Sequence, residues 1–209
     1  MPASSRTARA PSPGAVTVTA NVSLGLEWLW QQLQDDRQPK ILDCGRMQAA
    51  TMRALLEREA KVCVADLLSA FRPDAPDLWD RSQDPPVFRL GELLRQVPPI
   101  PSGSLSAVFS WQLFDLIPAS ALPELVEQIL SYLRPGGVLF CLLRDSNVRE
   151  GAETRWCLEA LSTLRKDGDG AMPFAYPPVT NRQIEGLMLS ANVKTFLTRF
   201  GWREVLVRK

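Results

Sequence analysis

The chain contains no histidine, so a Ser-His-Asp triad, a histidine general base and every zinc site that needs imidazole are excluded. Neither sign of charge is in excess. Lysine and arginine together number 24 against 23 acids, and a near-neutral chain has no global field to draw it onto nucleic acid or an anionic membrane. No stretch reaches the ~20 apolar residues of a membrane span, and Arg6 and Arg9 precede no apolar segment of the kind that a secretory signal carries. The expectation is a cytoplasmic protein without membrane or nucleic-acid partners. Cysteine is sparse: Cys44, Cys63, Cys141 and Cys157 show no C-x-x-C spacing, and most sit in apolar runs. Buried free thiols are expected there, and no metal site.

What is present points to one domain. With 209 residues, 45% of them hydrophobic, the chain is long enough for a single well-buried core. Residues 1–20 are rich in proline and small residues, so ordering them returns little burial for the entropy lost, and they read as a flexible tail before a domain spanning 21–209.

Periodicity then sketches the domain. Ser23 is placed to cap a helix with Leu26, Leu29, Trp30 and Leu33 on one face, ending near Asp35 and Asp36. Trp28 falls on another face from Trp30, leaving one tryptophan for a contact surface. Lys40 to Cys44 and Lys61 to Ala65 read as buried strands, with a helix between them carrying Met52, Leu55 and Leu56. That is a β-α-β unit, which puts two strands parallel in one sheet. Phe71 to Pro86 reads as a long polar loop, Val87 to Leu90 as a short strand and Leu105 to Trp111 as a firmer one. Leu122, Leu125, Val126, Ile129, Leu130 and Leu133 keep helical spacing until Pro135-Gly136-Gly137. Val138 to Leu143 is apolar throughout, as a central parallel strand should be. Trp156, Cys157, Ala160, Leu161 and Leu164 suggest another helix, broken by Lys166 to Gly170. Thr180 or Asn181 starts a helix with Ile184, Leu187, Met188 and Ala191 aligned. Val193 to Arg199 and Trp202 to Val207 close the chain as strands so near one another that they must form an antiparallel hairpin.

This order, with its local motifs, resembles the class I S-adenosylmethionine-dependent methyltransferases. Ile41-Leu42-Asp43-Cys44-Gly45 is similar to that family's first motif, and Asp66 to the acid that closes its second strand. Leu105 to Leu116 resembles the fourth-strand segment, Leu133-Arg134-Pro135-Gly136-Gly137 the turn into the fifth strand, and Gly201 to Val205 the seventh strand. The resemblance implies an α/β, doubly wound, Rossmann-like and mostly parallel seven-stranded sheet ending in an antiparallel hairpin. It further implies S-adenosylmethionine as cofactor, held by Asp43, Gly45, Asp66 and Ser110, with Asp66 on the ribose. Gly45 is expected to turn the chain with positive φ at the sheet's carboxyl edge. Candidates for acceptor or catalytic contacts are Ser110, Trp111, Gln112 and Asp115, with Arg144 and Asp145 on the next strand.

Several positions depart from the family pattern. Met47 and Ala49 stand where two further glycines usually let the backbone approach the cofactor, and Met47 is expected to intrude. The third strand brings no acid towards adenine, Glu92 being the nearest, and Ser106 replaces the aspartate that opens the fourth strand. Two functions follow: methyl transfer to a small molecule or a protein side chain, or a catalytically inactive pseudo-methyltransferase that binds a protein partner as a scaffold. A nicotinamide oxidoreductase would need a G-x-G-x-x-G cradle, and Gly45 to Ala50 does not supply one.

Overall fold

A computed structural model of the chain describes residues 20–72, 74–145, 153–171, 174–188, 191–199 and 201–209. Most of the expected tail lies outside these residues, but Ala20, assigned to it, opens a short strand, β1 (Ala20–Val22). Ser23 caps α1 (Leu24–Gln32) as expected, its side chain accepting from the Leu26 amide at 2.9 Å. The β-α-β unit follows as β2 (Lys40–Asp43), α2 (Ala49–Glu57) and β3 (Lys61–Val64). In α2 the buried stripe is Thr51, Ala54 and Leu55, whereas Leu56 turns outward and is 58% exposed, because the helix is rotated by about one residue from the face the sequence suggests.

After a 3-10 turn at Leu67–Phe71, the stretch read as loop contains β4 (Trp79–Asp80), which pairs antiparallel with β5 (Val87–Phe88) in a ribbon of its own. This removes one strand from the expected main sheet, which has six strands among the described residues rather than seven. Two causes keep β5 apart. Pro85 and Pro86 supply no amide donors to lengthen it, and Phe88 is held by Phe71 and Trp79, with ring centroids at 6.5 and 5.5 Å. Leu90 opens α3 (Leu90–Leu94).

The main sheet continues with β6 (Leu105–Trp111), a 3-10 turn at Leu113–Leu116, α4 (Leu122–Tyr132) and β7 (Leu133–Arg144). Alternation along β7 sends Val138, Phe140 and Leu142 to one face and Leu139, Cys141 and Leu143 to the other, which explains why the run is apolar at every position. Leu122, Leu125, Val126 and Ile129 of α4 cover the second face, each such burial being worth about 1.5–3 kcal/mol.

The region read as a helix around Trp156 is a hairpin instead, β8 (Glu153–Ala160) and β9 (Thr163–Ala171), joined to β1 in a three-stranded antiparallel sheet ordered β1-β9-β8. The run fits both periods. Pairing decides it, because Trp156, Leu158 and Leu164 all reach the aromatic face of the main sheet when they alternate as strand residues. The glycines around Lys166 to Gly170 lie within β9 beside a register shift, not at a helix end. The tip docks on α1: Ser23 N donates to Ser162 O at 2.8 Å and Trp30 Nε1 to Leu161 O at 2.7 Å. Trp28 lies under Lys194, with 5.1 Å from Nζ to the ring centroid, so neither tryptophan stands fully exposed.

Thr180 caps α5 (Asn181–Leu187) with a capping box to Gln183. The terminal hairpin is present as β10 (Asn192–Leu197) and β11 (Trp202–Arg208), and its connection is two residues longer than expected, 198–201. The sheet order is β10-β11-β7-β6-β2-β3, parallel from β7 to β3, with β11 antiparallel to both neighbours. All four cysteines are free thiols.

Candidate functional site

In an open α/β sheet the carboxyl ends of the parallel strands form the ligand edge. Here a cavity of about 220 Å3 opens at the ends of β2, β3 and β6, and Gly45, Asp66, Trp111 and Gln112 all line it. Sequence reasoning therefore brings four of its candidates to one place. It missed the rest of the lining, which includes Thr51 at the start of α2, Phe71 and Arg72 after β3, and Arg155 and Trp156 from β8. Arg46, which also lines the cavity, was open to view beside Gly45. Arg155 and Trp156 were hidden by the helical misreading of β8. The hairpin is fixed over the cavity by the Leu158 amide, which donates to Thr51 Oγ1 at 3.1 Å.

Trp111 dominates the floor. A register shift in the pairing of β6 with β7 falls between Phe109 and Trp111, and Trp111 takes φ +51°. Such a conformation costs a bulky residue roughly 1–3 kcal/mol. It turns the indole over the end of β2, where Nε1 donates to Asp43 Oδ1 at 2.6 Å. Asp43 Oδ1 also accepts the Gly45 amide at 2.8 Å. Burial pushes the Asp43 carboxyl up to about 6, outweighing these two donors.

Gly45 is required for a different reason from the one expected. It has no positive φ; instead a Cβ there would stand 2.6 Å from both Cδ1 and Nε1 of Trp111. The indole occupies the space that this glycine leaves. Met47 does not intrude: it is 68% exposed and absent from the lining. Asp66 caps the 3-10 turn, its Oδ1 accepting Ser69 N at 3.1 Å and its Oδ2 the Ser69 hydroxyl at 2.6 Å.

Other candidates stand away from the cavity. Ser110 is buried in the sheet, donates to Phe140 O at 3.0 Å and does not line the cavity. Asp115 is fully buried, accepting the amides of Arg144 at 2.7 Å and Val179 at 3.3 Å, and burial raises it to about 6. It fastens the 174–181 segment to the sheet, as does Arg144, whose guanidinium lies 4.5 Å from the Phe174 centroid and donates to Tyr176 O. The Asp145 amide donates to Gly201 O at 2.7 Å. Glu92 pairs with Arg95 on the surface. Ser106 lies at the opposite end of the sheet, donating to Asp36 Oδ2 at 2.6 Å, where Arg134 also donates at 2.9 Å. Among the described residues no cluster of acids and cysteines could hold a metal, and no helix is long and apolar enough to cross a membrane.

The fold and site together define an α/β protein with a mixed six-stranded main sheet, a separate antiparallel sheet over one face, and a cavity at the main sheet's carboxyl edge. No family model matches the sequence and no curated protein matches it. Solved structures to which it is similar include an S-adenosylmethionine-dependent methyltransferase from Mesorhizobium loti, 16% identical over 88% of this chain and 98% of that one, with a TM-score of 0.48. Another is the 1,6-didemethyltoxoflavin-N1-methyltransferase of Burkholderia thailandensis, solved with 1,6-didemethyltoxoflavin and S-adenosylhomocysteine. It is 15% identical over 88% of this chain and 76% of its own, with a TM-score of 0.47. A methyltransferase from Aquifex aeolicus is 12% identical, covering 90% of each chain, with a TM-score of 0.47.

Proposed function

We propose that this chain is a non-catalytic, methyltransferase-like protein that serves as a scaffold for a protein partner. The observation that carries this reading is the Trp111 indole lying on Gly45 and bonded to Asp43, which fills the approach that S-adenosylmethionine would need. Three further features agree. Each carboxylate oxygen of Asp66 already accepts a bond from Ser69, which leaves fewer lone pairs for a ribose. The cavity, about 220 Å3, is below the roughly 300–1,000 Å3 of ordinary ligand pockets. Arg46, Arg72 and Arg155 on its walls oppose a sulfonium cation. The residues present thus do not fit the cofactor that the sequence resemblance implies.

The competing reading, S-adenosylmethionine-dependent methyl transfer to a small molecule or protein side chain, draws on the meeting of Gly45, Asp66 and Gln112 at one cavity. Isothermal titration of the full chain with S-adenosylmethionine and S-adenosylhomocysteine separates the two. The scaffold reading expects no heat of binding at millimolar ligand. Micromolar affinity would overturn it in favour of the enzyme.

A further inference from the structure

The cavity left beside Trp111 has walls of a definite chemistry. Arg46 follows β2, Arg72 ends the 3-10 turn after β3, and Arg155 comes from β8, so three arginines line it from three separate elements. Among the described residues, no ion pair joins any of them to a carboxylate. Only two acids share the lining. Asp66 is engaged by Ser69, and Asp74 is exposed at the rim. The nine-residue helix α2 directs its first turn at the same space, since Gln48 and Thr51 line it, and no side chain caps it at Gln48. Amides and dipole there add to the positive field. Three aromatic residues, Trp111, Trp156 and Phe71, share the lining with Leu68 and the polar Ser69 and Gln112.

We propose that this cavity binds a small planar anion, an aromatic or heteroaromatic ring bearing one phosphate or carboxylate group. Planar guanidinium forks suit oxyanions with paired acceptor oxygens, and aromatic walls suit a ring. About 220 Å3 accommodates one ring and its anionic group but not a dinucleotide or a full nucleoside cofactor. The inference stands apart from the scaffold reading: an anion site can exist with or without S-adenosylmethionine binding.

The test uses the intact chain, with tryptophan fluorescence and isothermal titration against phenyl phosphate, benzoate, inorganic phosphate and phenol. Either ring anion is expected to bind and to perturb the fluorescence, with phenol and inorganic phosphate each at least about tenfold weaker. The stronger of phenyl phosphate and benzoate identifies the anionic group. Raising salt from about 50 to about 500 mM should weaken binding. Arg155→Gln is expected to lose about tenfold in affinity at an unchanged melting temperature. Arg46→Gln, at an exposed position, provides the same reading if the first variant folds poorly. Phenol binding as well as phenyl phosphate, inorganic phosphate binding as well as either ring anion, both arginine variants binding like the parent, or no binding by either ring anion would each overturn the proposal. None of these outcomes touches the scaffold reading, which rests on the S-adenosylmethionine titration alone.

Discussion

The two faces of the main sheet are packed with different chemistry. On one, Leu42, Val108, Leu139, Leu143, Val205 and Val207 meet the aliphatic side chains of α4 together with Ile184 and Met188. On the other, Phe109, Trp111 and Phe140 meet one another at centroid distances of 5.5–6.0 Å, and Trp156 meets Trp202 at 6.3 Å. The aliphatic face is covered by helices in the way the sequence suggests. The aromatic face is covered by α1, α2 and the β8-β9 hairpin, and it carries the backbone strain, the filled glycine notch and the cavity. A helix laid on aliphatic residues builds stability of a general kind. Aromatic packing with one fixed hydrogen bond specifies a single arrangement, and here that arrangement sets the indole against Gly45 at the ligand edge.

The sharpest test of this difference is Trp111→Ala against Leu125→Ala. Removing the indole loses a large buried surface and leaves Asp43 without its side-chain donor, so a loss of about 3–5 kcal/mol is expected in urea unfolding. Leu125, fully buried in α4, should cost about 2–4 kcal/mol. The distinguishing result concerns ligand rather than stability: only the Trp111 variant should gain affinity for S-adenosylhomocysteine. Gain in both, or in neither, would show that the indole is not what closes the site.

Next in size is the response to pH, since each face carries a buried carboxyl raised to about 6: Asp43 beside Trp111, and Asp115 beneath Val179. An unfolded aspartate titrates near 3.9. Between about pH 4 and pH 6 the folded chain therefore binds more protons than the unfolded one, and these groups make stability fall as pH rises through that window and level off above it. Each contributes on the order of 2–3 kcal/mol to the change. Asp43→Asn keeps an oxygen for both donors, so it should reduce the slope and match or exceed the parent's stability at pH 7. Asp115→Asn reduces the slope too, but its two oxygens serve two separate amides. One amide then loses its acceptor, at a cost of about 1–3 kcal/mol. Chemical denaturation at pH 4, 5, 6 and 7 distinguishes the faces, and unchanged slopes in both variants would discard the assignment.

How much of this could be read in the sequence follows the same division. The aliphatic face was legible: the spacing from Leu122 to Leu133, the unbroken run from Val138 to Leu143 and the capping residue Thr180 each have one physical solution. The aromatic face was not. Trp156 to Leu164 satisfies helical and strand periods alike, and only the partners supplied by β1 and Phe140 choose between them. Val87 and Phe88 have strand character, but nothing local says that they pair with Trp79 and Asp80 rather than with the main sheet. At the site, Asp43, Gly45 and Asp66 are found by motif, but the contacts they make come from neighbours distant in sequence or from a hydroxyl three residues on. Gly45 illustrates the limit. Its need for a missing side chain was visible, but the group that fills the gap, Trp111, lies on another strand.

The smallest effect expected is at the helix caps, one on each face. Thr180 caps α5 on the exposed surface, where its hydroxyl accepts Gln183 N at 3.2 Å within a capping box. Ser23 caps α1 while buried, and its own amide holds the hairpin tip through Ser162 O. Burial removes the water that would otherwise replace the lost acceptor. Thr180→Ala should therefore cost about 0.5–1 kcal/mol and Ser23→Ala about 1–2 kcal/mol, a difference of roughly 1–4 °C in melting temperature for a chain of this length. Because Ser23 anchors the element that roofs the cavity, its variant should also exchange the β8 and β9 amides faster than Thr180→Ala does. Equal costs and equal exchange in the two variants would mean that the hairpin is held by its aromatic packing alone, without help from the start of α1.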